Sequence, residues 1–166
     1  MEITPSLDSF SKVYEKGKNY LVYTRLSADL DTTVSLMLKL AQAKQNSFML
    51  ESVTGGDSKG RYSIIGMNPD LIWRCDGKKA SINRLALSGS EIYNPLEIDP
   101  LTSLREILDE TSIDLPEDLP PMAAGLFGYL GYDMIRLVEH LPNINKDILE
   151  LPDAIMLRPS VIVIVD

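Results

Sequence analysis

The spacing of hydrophobic residues along the chain predicts three helices. Residues 4–17 and 29–47 carry apolar side chains at intervals of three and four, the period of a helix face packed on a core. Residues 99–111 show the same period behind Asp99, a capping carboxylate, and Pro100, which suits the first helical position. We expect Asp31 to cap the second helix and Gly17 to end the first. The expected core-facing residues are Leu7, Phe10, Val13, Tyr14, Val34, Met37, Leu38, Ala41, Leu101, Leu104, Ile107 and Leu108.

Runs rich in β-branched and aromatic residues predict strands around these helices. The predicted strands cover residues 19–26, 47–53, 60–66, 70–76, 79–84, 88–95 and 154–165. A further strand is predicted within residues 123–142 and is followed there by a helical turn. Asp76-Gly77 is a turn signal and predicts a hairpin. The irregular alternation of strands and helices favours an α+β fold over a doubly wound parallel sheet. We therefore expect mostly antiparallel, sandwich-like sheets covered by helices.

Length and composition narrow the class of protein. A chain of 166 residues is by default one domain, and its net charge of −8 makes nucleic acid and anionic membranes unlikely partners. His140 is the only histidine, which excludes a His-rich zinc cluster. Cys75 is the only cysteine, cannot form an internal disulfide and suits a reducing cytoplasm, where we expect it to be a core residue.

The last predicted strand is an apolar run from Val161 to Val165, so both of its faces require cover. We expect the natural chain to continue, which would make residues 1–166 the N-terminal part of a longer protein. The alternative is a complete domain whose last strand lies centrally in its own sheet.

The most informative pair of residues is Glu51 and Ser52, which fall within a predicted strand that is apolar on both faces. Such a strand is expected to be central, and a buried glutamate is costly unless it is paired. One interpretation pairs Glu51 with Arg61 or Arg74. The other leaves its carboxylate free for a ligand that carries a positive charge.

Two motifs carry a resemblance to a known family. Met49-Leu50-Glu51-Ser52, followed by Arg61-Tyr62-Ser63, resembles the Leu-Leu-Glu-Ser box and Arg-Tyr-Ser segment in the N-terminal domain of anthranilate synthase component I. The segment 128–142 is similar to a Gly-rich motif of the same family. Its matching residues are Gly128, Tyr129, Tyr132, Asp133, Arg136, Glu139, Leu141 and Pro142.

The resemblance implies a regulatory role for this chain. In that family a C-terminal segment binds chorismate and Mg²⁺, a glutamine amidotransferase subunit (component II) supplies ammonia, and tryptophan inhibits at a site built partly by the N-terminal domain. Carried over, the tryptophan-binding residues are Leu50, Glu51, Ser52, Arg61, Tyr62 and Ser63. The resemblance implies no catalytic residue, metal ligand or cofactor within residues 1–166, so we expect the chain alone to be inactive.

Two alternative assignments of the chain stay open. The chain could belong to aminodeoxychorismate synthase component I, or it could be a free-standing amino-acid-binding regulatory domain.

Neighbours in a regular strand point to opposite faces, so Glu51 and Ser52 cannot both reach one ligand by side chain. We therefore expect one of them to use backbone atoms, or the strand to bend or bulge there.

Overall fold

The protein has an α+β fold, seen in a computed structural model that describes residues 2–15, 19–42, 44–53, 59–142 and 148–166. The helices are α1 (Leu7–Tyr14), α2 (Thr33–Ala41) and α3 (Pro100–Thr111). The strands are β1 (Phe48–Val53), β2 (Lys59–Asp76), β3 (Lys79–Asn83), β4 (Asn94–Leu96), β5 (Phe127–Leu130) and β6 (Ala154–Val165). Short 3-10 helices cover Ala86–Ser88, Pro121–Ala123 and Tyr132–Leu137.

A long central strand, β2, organises the sheet. The strand order is β4-β3-β2-β6-β5, with β1 also paired to β2, and every pairing is antiparallel. β6 lies along one edge of β2, while β1 and β3 share the opposite edge. The two strands predicted over 60–66 and 70–76 are thus one continuous strand, with a register shift between Pro69 and Leu71. Because β2 joins the two halves, the described strands form one sheet, which confirms the predicted α+β class with antiparallel pairing but not its sandwich-like arrangement.

The core lies between the sheet and α3. It contains Leu71, Trp73, Cys75, Ala80, Ile82, Leu104, Ile107, Met134 and Ala154. The predicted start of α3 is confirmed, since the Asp99 side chain accepts from the backbone N–H of Thr102 over 3.0 Å and Pro100 begins the helix. Leu108 was expected inside, but it is largely exposed. The buried Cys75 is also confirmed, and burial, together with Asp153 and Asp76, raises the pKa of its thiol to about 11.

The N-terminal third departs most from expectation. The strand predicted over residues 19–26 is wrong, because its only sheet-like contact in the described chain is an isolated bridge between Thr4 and Tyr23. Helix α1 forms as predicted but has no buried residue, and Leu7 and Tyr14 are exposed. Gly17, its predicted stop, lies outside the described residues.

Helix α2 forms with a different cap from the predicted one. Thr32 is the N-cap, and its side chain accepts from the backbone N–H of Ser35. Asp31 instead accepts from the side chains of Ser35 and Lys39, one and two turns into the helix. Of the predicted apolar stripe, Ala41 is buried, whereas Val34 and Leu38 are exposed.

Most of the remaining elements follow the sequence closely. The exception is the strand predicted over 88–95, which is shifted to the short β4, because Ala86–Ser88 form a 3-10 helix and residues 89–93 pair with no strand. β2 and β3 form the predicted hairpin, with Gly77 at φ 59° in the turn, a conformation that favours glycine. β5 leads into a 3-10 helix as expected. β6 lies between β2 and β5 over Ala154–Leu157 and pairs with β2 alone beyond Pro159.

Candidate functional site

The Glu-Ser pair lies on an edge strand of the sheet. β2 is the only described strand that pairs with β1, and Leu50, Glu51 and Ser52 are exposed. The prediction of a central strand with a buried glutamate was therefore wrong. Of the apolar side chains of β1, Phe48 packs on the sheet, where its ring stacks on Phe127 of β5 at 5.1 Å between centroids, whereas Leu50 is exposed.

The strand pairing is irregular at the predicted position. Glu51 lies opposite Ser63, and the next pair, Val53 with Lys59, shows a shift in register. Three residues of β2 therefore face the single residue Ser52, which amounts to a bulge on the partner strand. This confirms the expected irregularity, although the extra residues belong to β2 and not to β1.

The bulge brings the predicted residues to one open depression of about 260 Å³. Its lining includes Leu50, Glu51, Ser52, Arg61 and Tyr62. Ser63 is the predicted site residue that does not line it; Ser63 pairs with Glu51 on one side and Val165 on the other. Two apolar side chains, Ile64 and Met122, complete the wall.

Met122 is the lining residue that sequence reasoning missed. It belongs to the 3-10 helix Pro121–Ala123, inside a proline-rich connection, and is distant in sequence from both strands. The two prolines before it restrict the backbone locally, but no local pattern shows that this turn packs beside β1 and β2.

The charges of the depression are arranged asymmetrically. Arg61 is paired: its Nε donates to Oδ1 of Asp166 over 2.7 Å and its Nη2 donates to Oδ2 over 2.8 Å. The guanidinium also lies 4.9 Å from the centre of the Tyr62 ring. The hydrogen bonds from Arg61 hold the pKa of the Asp166 carboxyl below its usual range.

Glu51, by contrast, has no ion pair among the described residues. Both arginines suggested as its partner are engaged elsewhere. Arg61 binds Asp166, while Arg74 lies 3.3 Å from Asp76 and 4.7 Å from the ring centre of Tyr93. The interpretation of Glu51 as a structural ion-pair residue is therefore wrong, and its carboxylate is free to accept a cationic group.

Gly60 permits the close approach of the two strands at the bulge. A Cβ added at this position would overlap the side chain of Ser52 and crowd the Ser52 carbonyl oxygen. A residue without a side chain is thus required for Ser52 to keep its place in the wall.

Neither a metal centre nor a membrane span is evident in the described part of the chain. No three His, Cys, Asp or Glu side chains converge there, so these residues do not fit a Mg²⁺ site. No described helix is long and apolar enough to cross a bilayer. The chemistry available at the depression is that of binding: a free carboxylate, a hydroxyl, a paired guanidinium and an apolar wall.

Comparison with known proteins identifies the family. The chain is 60% identical over 161 residues to an anthranilate synthase component 1 of Cereibacter sphaeroides, a match that covers 97% of this chain and 32% of that relative. This chain belongs to the anthranilate synthase component I family. It corresponds to the N-terminal region of that family and spans about one third of the length of the relatives it matches.

One further relative agrees with the assignment to the component I family, and one solved structure shares the fold. The anthranilate synthase component 1 of Synechocystis is 32% identical over 166 residues, covering 99% of this chain and 32% of that relative. A crystal structure of anthranilate synthase component I from Streptococcus pneumoniae superposes with a TM-score of 0.52 at 21% identity, covering 89% of this chain and 29% of that one. This likeness confirms the α+β fold. No protein-family model matches the chain.

Proposed function

We propose that residues 1–166 are the N-terminal regulatory domain of an anthranilate synthase component I and contribute its tryptophan feedback site. The observation that carries this proposal is the depression beside β1. Five of the six residues implied by the family motif line it, and it holds the Glu51 carboxylate, which has no ion pair among the described residues. A structural role for Glu51 would require such a partner, whereas a ligand site requires its absence.

The lining suits each part of a tryptophan zwitterion. The Glu51 carboxylate can accept from the ammonium group in a charge-assisted hydrogen bond. The Ser52 hydroxyl and the Arg61 guanidinium are donors for the carboxylate, and the irregular pairing at Ser52 releases it from the strict alternation of a regular strand. Leu50, Ile64 and Met122 offer apolar surface for the indole. Because the depression is open, we expect the region that the longer relatives possess to complete it.

The whole enzyme is proposed to be cytoplasmic and to convert chorismate and glutamine-derived ammonia to anthranilate and pyruvate in tryptophan biosynthesis. We propose that the chorismate site and Mg²⁺ belong to the region that the longer relatives possess, and that component II supplies the ammonia. Because the chorismate site is proposed to lie in that other region, the 166 residues alone are expected to form no anthranilate. Incubation with chorismate, ammonia and Mg²⁺ measures this, and any anthranilate formed contradicts it.

The rival assignments make different predictions. The names of the matched relatives favour anthranilate synthase over aminodeoxychorismate synthase component I. A free-standing regulatory domain would bind an amino acid with no synthase region in the same polypeptide. The reading frame that contains these residues distinguishes this alternative, because a long continuation supports the enzyme.

Tryptophan binding is the decisive experiment. Isothermal titration of the complete polypeptide encoded by that reading frame should give saturable binding, and Ser52→Ala should weaken it. Ser27→Ala is the matched control, since Ser27 is an exposed serine that does not line the depression. Absence of binding by the unmodified protein, or equal effects of the two substitutions, contradicts the proposal.

A further inference from the structure

We infer that Asp166 is a positioning residue of the tryptophan site: it holds Arg61 in place and thereby keeps Glu51 free. The inference rests on the proposed function of the depression and adds a residue that the family motif does not include. Asp166 does not line the depression, so it acts through Arg61.

The sheet places Asp166 beside the bulge. Ser63 pairs with Val165 across β2 and β6, which brings the residue that follows Val165 alongside Tyr62 and Arg61. From there both carboxylate oxygens accept from Arg61, at 2.7 and 2.8 Å. This two-point contact fixes the plane of the guanidinium as well as its position.

The contact leaves part of the guanidinium available. An arginine side chain has five N–H donors, and Asp166 uses one from Nε and one from Nη2. The remaining donors lie on Nη1 and on the outer side of Nη2. A carboxylate of a ligand can bind there while Asp166 stays in place, so the two anions do not need the same edge.

The same contact also prevents a competing pair. Arg61 and Glu51 both line the depression, and opposite charges on neighbouring strands attract each other. Without Asp166, Arg61 is expected to turn to Glu51 and neutralise it. The site would then lose its ammonium acceptor and its carboxylate donor together. Asp166 is thus expected to strengthen ligand binding even though it adds a negative charge near the site.

A double-mutant cycle tests this mechanism. Isothermal titration with tryptophan is performed on the complete polypeptide and on Asp166→Ala, Arg61→Gln and the double variant. We expect Asp166→Ala alone to weaken binding by at most about fivefold, because both side chains of the pair are mostly exposed, and to have no further effect once Arg61 is replaced. Asp109→Ala, on the exposed side of α3, is the matched control and should bind normally.

Each outcome separates the inference from the function it rests on. If the unmodified protein binds no tryptophan, the proposed function fails and the inference fails with it. If it binds but Asp166→Ala binds equally well or more tightly, or weakens binding equally in both backgrounds, only the positioning role is overturned. Asp166→Asn, which preserves the side-chain volume, replaces the alanine variant in the cycle if that variant does not fold.

Discussion

The indole Nε1 of Trp73 donates to the Ser103 hydroxyl over 3.0 Å, joining the central strand to α3 inside the core. The Ser103 hydroxyl in turn donates to the Pro100 carbonyl over 2.8 Å. Trp73 is 0% exposed and Ser103 is 1% exposed, so water cannot replace either contact. This chain of two hydrogen bonds satisfies the one polar atom of the largest core side chain.

Ser103→Ala should therefore destabilise the fold. The substitution leaves a buried indole N–H without an acceptor, which costs about 1–3 kcal/mol in the free energy of unfolding. Urea unfolding measures the change through the fluorescence of Trp73, the only tryptophan of the chain. Ser112→Ala is the control, since Ser112 is exposed at the end of the same helix. Equal midpoints for the two variants contradict the prediction.

We expect the ion pairs of Glu110 to make a pH-dependent contribution to the free energy of unfolding. Arg84 donates to both of its carboxylate oxygens, at 2.7 and 2.6 Å, and Arg158 lies 3.3 Å away. The hydrogen bonds from Arg84 lower the pKa of Glu110 in the folded state. A group with a lowered folded pKa stabilises the fold above its unfolded value, about 4.3, and this contribution disappears as pH falls through the folded pKa.

Glu110→Gln should accordingly reduce stability near neutral pH, by at most about 1 kcal/mol because the pair is partly exposed. The difference from the unmodified protein should shrink as the pH falls below about 4. Urea midpoints at several pH values measure both effects. Glu106→Gln, an exposed carboxylate without an ion pair in the described structure, should show neither. A difference that persists in acid argues against the electrostatic origin.

Elements whose ends are fixed by capping or turn residues could be predicted from the sequence. The Asp99 cap and Pro100 fix the start of α3, and Gly77 fixes the β2–β3 turn, through contacts made within a few residues. The family motif also located five of the residues that line the depression. These features depend on residues that are close along the chain, so they can be predicted from short stretches of sequence.

Features that depend on distant contacts could not be predicted. The pairing of Arg61 with Asp166 spans 105 positions and depends on the register of β6 against β2. The edge position of β1 likewise results from β2 being its only partner among the described strands, which no local pattern indicates. The apolar run at 19–26 resembles a strand by propensity, yet only Tyr23 makes a sheet-like contact in the described chain.

Gly60→Ala should impair the site through Ser52. The added methyl group would overlap the Ser52 side chain, so the two strands must separate at the bulge. We expect tryptophan binding to weaken by about fivefold or more, the size of one lost hydrogen bond. Gly89→Ala is an informative control: its φ of 78° makes alanine strained there, but it does not line the depression. It should lower stability and leave the affinity for tryptophan unchanged.

Glu51→Gln separates a ligand-binding role from a structural one. Because the carboxylate is exposed and has no ion pair among the described residues, the substitution should leave the urea midpoint nearly unchanged. It removes a charged acceptor for an ammonium group, so tryptophan binding should weaken about tenfold. Glu106→Gln removes the same charge from α3 and controls for the change in net charge. A loss of stability without a loss of affinity would show that Glu51 has a structural role. A loss of affinity without a loss of stability requires a ligand whose positive group binds the carboxylate.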